Sequence, residues 1–271
     1  MARVLSAAVL IPVLFATVWF LPPVATLVLA EVVAVLAFVE YAGLAAALGT
    51  RVPRLITGAA VVAACAALAG GGSADVSVLL CSSAAGIVLL SALIAIGATM
   101  VAGAEPGPGL LRDTSAALFA PIYIGLPLGA LAAVRAIGGR EALVLLAVVI
   151  IVSDSAQYYT GRAFGRRLLA PAISPKKTRE GALGGLVFGT AAMVAGGLRV
   201  FPGVPVWMLA LTGATLAVLG MVGDLFESML KRSAGVKDSS SLIPGHGGVL
   251  DRIDSWLFAA PLFYVFVVYL A

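Results

Sequence analysis

Four acidic residues near the C-terminal end of the chain form two pairs with helical spacing. Asp224 and Glu227 are three residues apart, and so are Asp251 and Asp254. Residues at positions i and i+3 lie on the same face of a helix, so each pair presents two carboxylates together. Mg²⁺ prefers oxygen ligands, keeps several waters and commonly joins protein carboxylates to substrate phosphates. We therefore predict that these four residues form a magnesium site.

The second pair also has a structural interpretation. Acidic residues in the first turn of a helix complement the positive end of its dipole, and Asp251 and Asp254 directly precede an apolar segment. Acidic residues at membrane depth are costly, however, and they commonly serve function. This cost argues against a purely structural role for all four acids.

Basic residues and glycines surround these acids. Arginine binds phosphate through a planar fork and lysine binds it as a point charge, while glycine lets backbone N–H groups approach an oxyanion closely. The single histidine, His246, lies among glycines beside the second acidic pair, which favours a phosphate contact or proton donation over a structural role. The residues predicted to act on phosphate groups here are Lys231, Arg232, Lys237, His246, Gly247, Gly248 and Arg252.

A second charged segment lies about 70 residues earlier in the chain. It opens with Asp154, and Tyr158 follows at i+4 on the same predicted helical face. The run Ser174-Pro-Lys176-Lys177-Thr178 is typical of an anion-binding segment, although a solvated positive loop has the same composition. We predict that Ser174, Lys176, Lys177 and Thr178 bind substrate phosphate. We also predict that Asp154 and Tyr158 contribute to substrate binding, with Asp154 and Glu180 as polar partners.

The rest of the chain is strongly apolar. Of its 271 residues, 62% are hydrophobic and 11% are charged, whereas a soluble domain has about 25% charged residues. A membrane-spanning helix needs about 20 mostly apolar residues. We therefore predict an all-α polytopic membrane bundle, with an N-terminal set of helices without a motif in residues 1–140 and a C-terminal set with catalytic loops in residues 141–271, as one continuous membrane domain. The nine candidate spans are residues 4–21, 24–46, 55–70, 76–101, 114–134, 142–160, 182–198, 205–226 and 255–270.

The distribution of positive charge predicts the orientation of these spans. Cytoplasmic loops hold an excess of lysine and arginine, and nine spans place all but three of the 17 such residues on one side. The exceptions are Arg135, Arg140 and Arg199. We therefore predict a cytoplasmic N-terminus and a C-terminus on the opposite side of an inner, cytoplasmic membrane. Both charged segments then face the cytoplasm, where nucleotides are available. The segments on that side are the N-terminus and residues 49–54, 102–113, 161–181 and 227–254.

The charged segments resemble a known family. Residues 228–254, SMLKRSAGVKDSSSLIPGHGGVLDRID, resemble the signature of the phosphatidate cytidylyltransferases, also called CDP-diacylglycerol synthases. The upstream elements Asp154-x-x-x-Tyr158-x-x-Gly161 and Ser174 to Thr178 are also similar to that family, whereas residues 1–140 match it only in being apolar. The resemblance implies a Mg²⁺-dependent membrane enzyme that joins CTP to phosphatidic acid, giving CDP-diacylglycerol and pyrophosphate.

The resemblance also implies roles for individual residues. It places a paired-cation centre at Asp224 and Asp251, and leaves open whether a second cation is monovalent or divalent. The nucleophile is a phosphate oxygen of phosphatidate, which is already anionic and needs no strong base. CTP and phosphatidate are both anionic and must come together, so lysine and arginine beside the acids would neutralise their phosphate charges. The predicted catalytic residues are Asp224, Lys237, His246, Asp251 and Asp254.

Three other interpretations stay open at this level. CTP-dependent transfer to an ether-lipid phosphate or a polyprenol belongs to the same class of reaction. An ion-coupled transporter is a different class, favoured only by Glu31 and Glu40 inside the second span. Nucleic acid is not an expected partner, because the chain lacks a platform of aromatic and basic residues. The sequence leaves open whether the chain forms a homodimer.

Overall fold

The chain folds into a bundle of helices. The computed structural model describes residues 2–69, 77–103, 107–243, 245 and 247–271. Within these residues there are nine helices, numbered α1 to α9, and each predicted span overlaps one of them. Their bounds are Ala2–Phe20, Pro23–Ala47, Arg54–Ala69, Ser77–Gly103, Leu110–Ile137, Gly139–Phe164, Arg179–Val200, Val206–Ser233 and Leu250–Tyr269.

Seven of the helices in the described part of the chain are long and apolar enough to cross a membrane. They are α2, α4 (over Ala84–Gly103) and α5 to α9. Helix α3 is apolar but has only 16 residues. Prolines and glycines separate the helices: Pro23 begins α2, at a position where a helix needs no N–H donor. The chain is an all-α membrane protein in its architecture.

Two short strands depart from the all-α prediction. Strand β1 (Leu168–Ala170) pairs antiparallel with β2 (Ser174–Thr178), in the segment predicted to be a charged loop. A two-stranded hairpin is marginal by itself in water, and here β2 contacts both α6 and α7. The hairpin therefore fixes the orientation of the lysines that a loop would leave free.

Glycines allow α6, α7 and α8 to approach one another closely. Without a solvent-driven hydrophobic effect, helices in a membrane associate through small residues that let their backbones come together. Helix α7 buries Met193 and five glycines among its neighbours. This close packing brings the end of α6, the start of α7 and the end of α8 to one place. The buried glycines of α7 are Gly181, Gly184, Gly185, Gly189 and Gly197.

The N-terminal and C-terminal helices share a hydrophobic core. One buried cluster joins Phe38 and Tyr41 of α2 and Tyr123 of α5 to Leu250 and Leu257 of α9. A second cluster lies within α5 to α9, around Phe263 and Phe266. Helix α9 therefore packs both against the charged C-terminal helices and against α2.

Candidate active site

The charged residues meet at one end of the helices. Helices α2, α6 and α8 end there, and α7 and α9 begin there, because neighbouring helices run in opposite directions. Residues that are distant in the sequence therefore lie together in two groups, each built around a lysine. The residues concerned are Glu40 on α2, Asp154 on α6, Lys177 on β2, Asp224, Glu227 and Lys231 on α8, and Asp251 and Asp254 on α9.

The first group is built around Lys177. Its Nζ lies 2.5 Å from Asp224 Oδ2, with the two side chains 20% and 34% exposed. Asp154 interacts electrostatically with both Lys177 and Asp224, and Asp254 interacts with Asp224 and Asp154. Asp224 therefore pairs with Lys177, Asp154 interacts with both members of this pair, and Asp254 adds a third carboxyl group that interacts with Asp224 and Asp154. This group has more carboxyl groups than ammonium groups, which favours the binding of a further cation.

The second group is built around Lys231. Its ammonium contacts Glu227, four residues earlier on α8, and lies 2.5 Å from Asp251 Oδ1 on α9. Glu227 is fully buried and the side chain of Asp251 is 5% exposed. Buried charges are tolerated when they are paired and hydrogen-bonded. This group therefore joins the end of α8 to the start of α9.

Asp251 also organises the turn that precedes α9. Its Oδ2 accepts hydrogen bonds from the backbone N–H of Ser239 at 3.0 Å and of Gly248 at 2.7 Å, and lies 2.9 Å from Ser239 Oγ. Gly247 adopts φ +81°, a conformation that other residues rarely adopt, and a Cβ there would lie 2.7 Å from Asp251 Oδ2. The Gly247-Gly248 pair thus lets the turn wrap closely around this carboxylate.

An open cavity lies beside this turn. It has a volume of about 510 Å³, and its lining includes the exposed side chains of Lys237 and Arg252 together with Asp238 and Ser240. Pockets for small molecules commonly have volumes of about 300 to 1,000 Å³. The cavity is therefore large enough for a nucleotide, and two basic residues border it.

The remaining predicted residues have different surroundings. Lys176 is exposed, on the opposite side of β2 from Lys177. The hydroxyl of Thr178 accepts a hydrogen bond from the N–H of Gly181, so Thr178 caps α7. Ser174 pairs with Ala170 in the hairpin, and Arg232 donates to the carbonyl of Val236 on the exposed end of α8.

Three further residues were predicted to have polar roles in the site. Tyr158 is exposed and packs edge-on against Tyr159. Glu180 accepts hydrogen bonds from the backbone N–H groups of Arg166 and Arg167, so it holds the turn between α6 and β1. His246 lies outside the described residues, and its predicted role stays a prediction.

The sequence reasoning missed the partners of Glu40. This acid was noticed because it lies inside a predicted span, yet its contacts are with Ser239, Ser240 and the first residues of α9, about 200 residues away. The two serines carried no signal of their own. A buried acid in a spanning helix was the one available sign that α2 contributes to the site.

The donor set of the first group fits a magnesium ion. Asp154, Asp224 and Asp254 offer hard carboxylate oxygens from three helices, whereas both oxygens of Asp251 already accept hydrogen bonds. Among the described residues, no three acidic, cysteine or histidine side chains converge closely enough to hold a metal by themselves. Mg²⁺ commonly takes only one or two protein carboxylates and completes its shell with waters and substrate phosphates. The metal-ligand roles of Asp224, Glu227, Asp251 and Asp254 all stay predictions.

The fold and the site define a class: an all-α membrane protein with clustered carboxylate and cationic side chains at one end of its helices. Comparison with known proteins gives the family. The chain belongs to the Cytidylyltransferase family, whose sequence model matches residues 1–270.

Several curated relatives are named phosphatidate cytidylyltransferase. A Pseudomonas aeruginosa protein is 48% identical over 122 residues, which cover 44% of this chain and 45% of the relative. A Haemophilus influenzae protein is 48% identical over 139 residues (47% and 46%), and a Bacillus subtilis protein is 42% identical over 147 residues (54% and 55%). The chain thus spans about half the length of the curated relatives it matches.

Proposed function

We propose that this chain is a phosphatidate cytidylyltransferase, which transfers the cytidylyl group of CTP to phosphatidic acid and releases pyrophosphate. Family membership over residues 1–270 and the names of the relatives support this activity. The observation that carries the proposal is the meeting of Lys177, Asp224 and Lys231 with Asp251 at one end of the helices. The transporter interpretation depended on Glu31 and Glu40, and Glu40 is hydrogen-bonded to Ser239, Ser240 and the start of α9.

In the proposed reaction, the main role belongs to lysine and arginine side chains, which bind and neutralise the substrate phosphates. Transfer between phosphates depends mainly on positioning and on neutralising charge. Lys237 and Arg252 border the cavity and bind the triphosphate of CTP, and Lys176 attracts the anionic substrates from the exposed side of β2. The phosphatidate oxygen attacks the α-phosphorus of CTP, the bond to the β-phosphate oxygen breaks, and pyrophosphate leaves.

The acidic residues fix the positions of the lysine ammonium groups. Asp224 orients Lys177, and Asp251 with Glu227 orients Lys231. Asp224 and Asp254, with Asp154 beside them, are the residues that would hold magnesium. When bound, magnesium supplies further neutralisation of the phosphate oxygens. No residue needs to act as a general base, because the attacking phosphate is already an anion.

We also propose that the chain crosses the membrane nine times, with its N-terminus in the cytoplasm. The site end of the helices then faces the cytoplasm, from which CTP arrives. Contacts at the other end support this arrangement: Arg135 donates to the carbonyl of Val18 at the end of α1, and Arg140 lies over the ring of Trp19 at 4.6 Å. The start of α1 therefore lies toward the site end.

The test is pyrophosphate release by the purified full chain in detergent. We expect release from CTP to require both Mg²⁺ and phosphatidic acid, to stop on chelation with EDTA, and to fall by about 10² or more in Asp224→Asn. Asp113→Asn is the matched control, because Asp113 pairs with the exposed Arg112, at 3.2 Å, rather than with Lys177 or Lys231. Release that needs a different lipid phosphate or a polyprenol would correct the acceptor. Release with no lipid dependence at all would overturn the proposal.

A further inference from the structure

Glu40 is a buried acid on a helix that has no charged motif. It lies on α2, about two turns before the end of that helix, and is only 5% exposed. Burial of an acid without partners is costly. Its partners lie between 199 and 210 residues further along the chain. Glu40 therefore joins the N-terminal helices to the turn before α9.

Four donors converge on the Glu40 carboxylate. Oε1 lies 2.6 Å from Ser240 Oγ and 2.9 Å from the backbone nitrogen of Val249. Oε2 lies 2.9 Å from Ser239 Oγ and 2.7 Å from the backbone nitrogen of Leu250. Each carboxylate oxygen thus lies within hydrogen-bond distance of one hydroxyl and one backbone N–H.

This carboxylate supplies a helix cap from another part of the chain. The first N–H groups of a helix have no partner within the helix, and no side chain near the start of α9 caps it. Glu40 accepts from two of these N–H groups, and its negative charge lies at the positive end of the helix dipole. The position and direction of the first turn of α9 therefore depend on α2.

The same contacts reach Asp251, the second residue of α9. Ser239 Oγ lies 2.9 Å from both Glu40 Oε2 and Asp251 Oδ2, and a hydroxyl has only one proton to share between them. A Cβ at Gly248 would collide with Ser239 Oγ and would lie 2.5 Å from Glu40 Oε2. The turn is thus held between two carboxylates, one from α2 and one from α9.

We propose that Glu40 is a positioning residue for cytidylyl transfer: it fixes the turn at Gly248 and the first turn of α9, and so sets where Asp251, Arg252 and Asp254 stand relative to α8. This role rests on the function proposed above. This role also makes α2 part of the site, although the sequence of α2 carries no motif. Of the side chains that line the cavity, Ser240 is hydrogen-bonded to Glu40.

The test compares Glu40→Gln with Glu31→Gln in the full-length protein. Glutamine keeps the size of Glu40 but replaces one acceptor oxygen with an NH₂ donor, so two of the four donors lose their acceptor. Glu31 lies on the same helix, its oxygens are buried, and they accept no hydrogen bond from the turn. Misplacement of reacting groups by about 1 Å can cost on the order of 10²-fold in rate. We expect Glu40→Gln to lower kcat by about 10-fold to 10²-fold with a much smaller change in KM for CTP, Glu40→Asp to recover part of the rate, and Glu31→Gln to keep wild-type kcat.

A second readout separates anchoring from activity. Hydrogen exchange at the amides of Val249 and Leu250 reports the cap directly, and we expect protection there to fall about tenfold or more in Glu40→Gln while Glu31→Gln retains it. This readout needs no substrate, so it decides the anchoring even if phosphatidate proves not to be the acceptor. Unchanged protection in Glu40→Gln overturns the proposal. Reduced protection with wild-type kcat also overturns it, because the cap would then be structural only. Thermal unfolding measures the folded fraction of each variant. If kcat falls only in proportion to that fraction, the proposal is also overturned.

Discussion

The Nζ atom of Lys231 lies 2.5 Å from Asp251 Oδ1, and this contact joins the last turns of α8 to the first turn of α9. The same ammonium also contacts Glu227. One lysine therefore contacts two buried carboxyl groups from two helices. The pairing links the two acidic pairs that the sequence presents separately.

Replacement of Lys231 by methionine should unfold this junction. Two buried carboxylates would lose their counter-charge, and removal of one partner from a buried ion pair costs about 3 kcal/mol or more. We expect Lys231→Met to lower the unfolding temperature in detergent and to abolish measurable transfer. The double variant Lys231→Met with Glu227→Gln should recover part of the stability but none of the activity. If the single variant were as stable as wild type, the pairing would not contribute to the folded state.

Lys176 and Lys177 are adjacent in sequence but should differ in their kinetic effects. Lys177 is paired with Asp224, so Lys177→Gln should lower kcat by about 10²-fold. Lys176 is exposed on the other face of β2, so Lys176→Gln should raise KM for the anionic substrates and leave kcat nearly unchanged. The KM effect should shrink as salt is added, because exposed charges are screened. Steady-state kinetics at two ionic strengths measure both effects. Equal kinetic effects of the two substitutions would contradict the assignment.

A methyl group at Gly248 should disturb the turn before α9. The Cβ of Gly248→Ala would collide with Ser239 Oγ and crowd Glu40 Oε2, so the backbone must move. We expect a loss of at least about tenfold in kcat, measured by pyrophosphate release. Gly43→Ala on α2 is the matched control, since no atom lies within 4 Å of a Cβ there. Alanine in a helix is favoured over glycine by about 1 kcal/mol, so the control should be neutral or slightly stabilising. Wild-type activity in Gly248→Ala would mean that the turn adapts freely.

Cysteine labelling should reveal which side of the membrane each end of the bundle faces. Gly203 lies between α7 and α8, in open space at the end opposite the site, and Ser241 lies in the exposed turn at the site. In a variant without the native cysteines, an impermeant maleimide should label Gly203→Cys in intact cells. It should label Ser241→Cys only after the membrane is opened. The reverse pattern would invert the proposed orientation, and labelling of both from outside would contradict the number of spans.

The sequence alone predicted the elements of this protein well. Apolar runs of sufficient length predict helices because every backbone group in a membrane must be satisfied within the segment. The two acidic pairs and the basic residues between them predicted a candidate site, because their spacing along a helix is a local property. These features follow from neighbouring residues, and they needed no knowledge of how the helices pack.

The tertiary structure decided which partners these residues have. Helical spacing alone brings Glu227 to Lys231, but nothing in the sequence couples Lys177 to Asp224, adds Asp251 to the Glu227–Lys231 pair, or brings Glu40 to the start of α9. These contacts depend on the close approach of glycine-rich helices and on a hairpin too short to predict. The choice of partner is made by packing between segments up to 210 residues apart, and local periodicity holds no information on it.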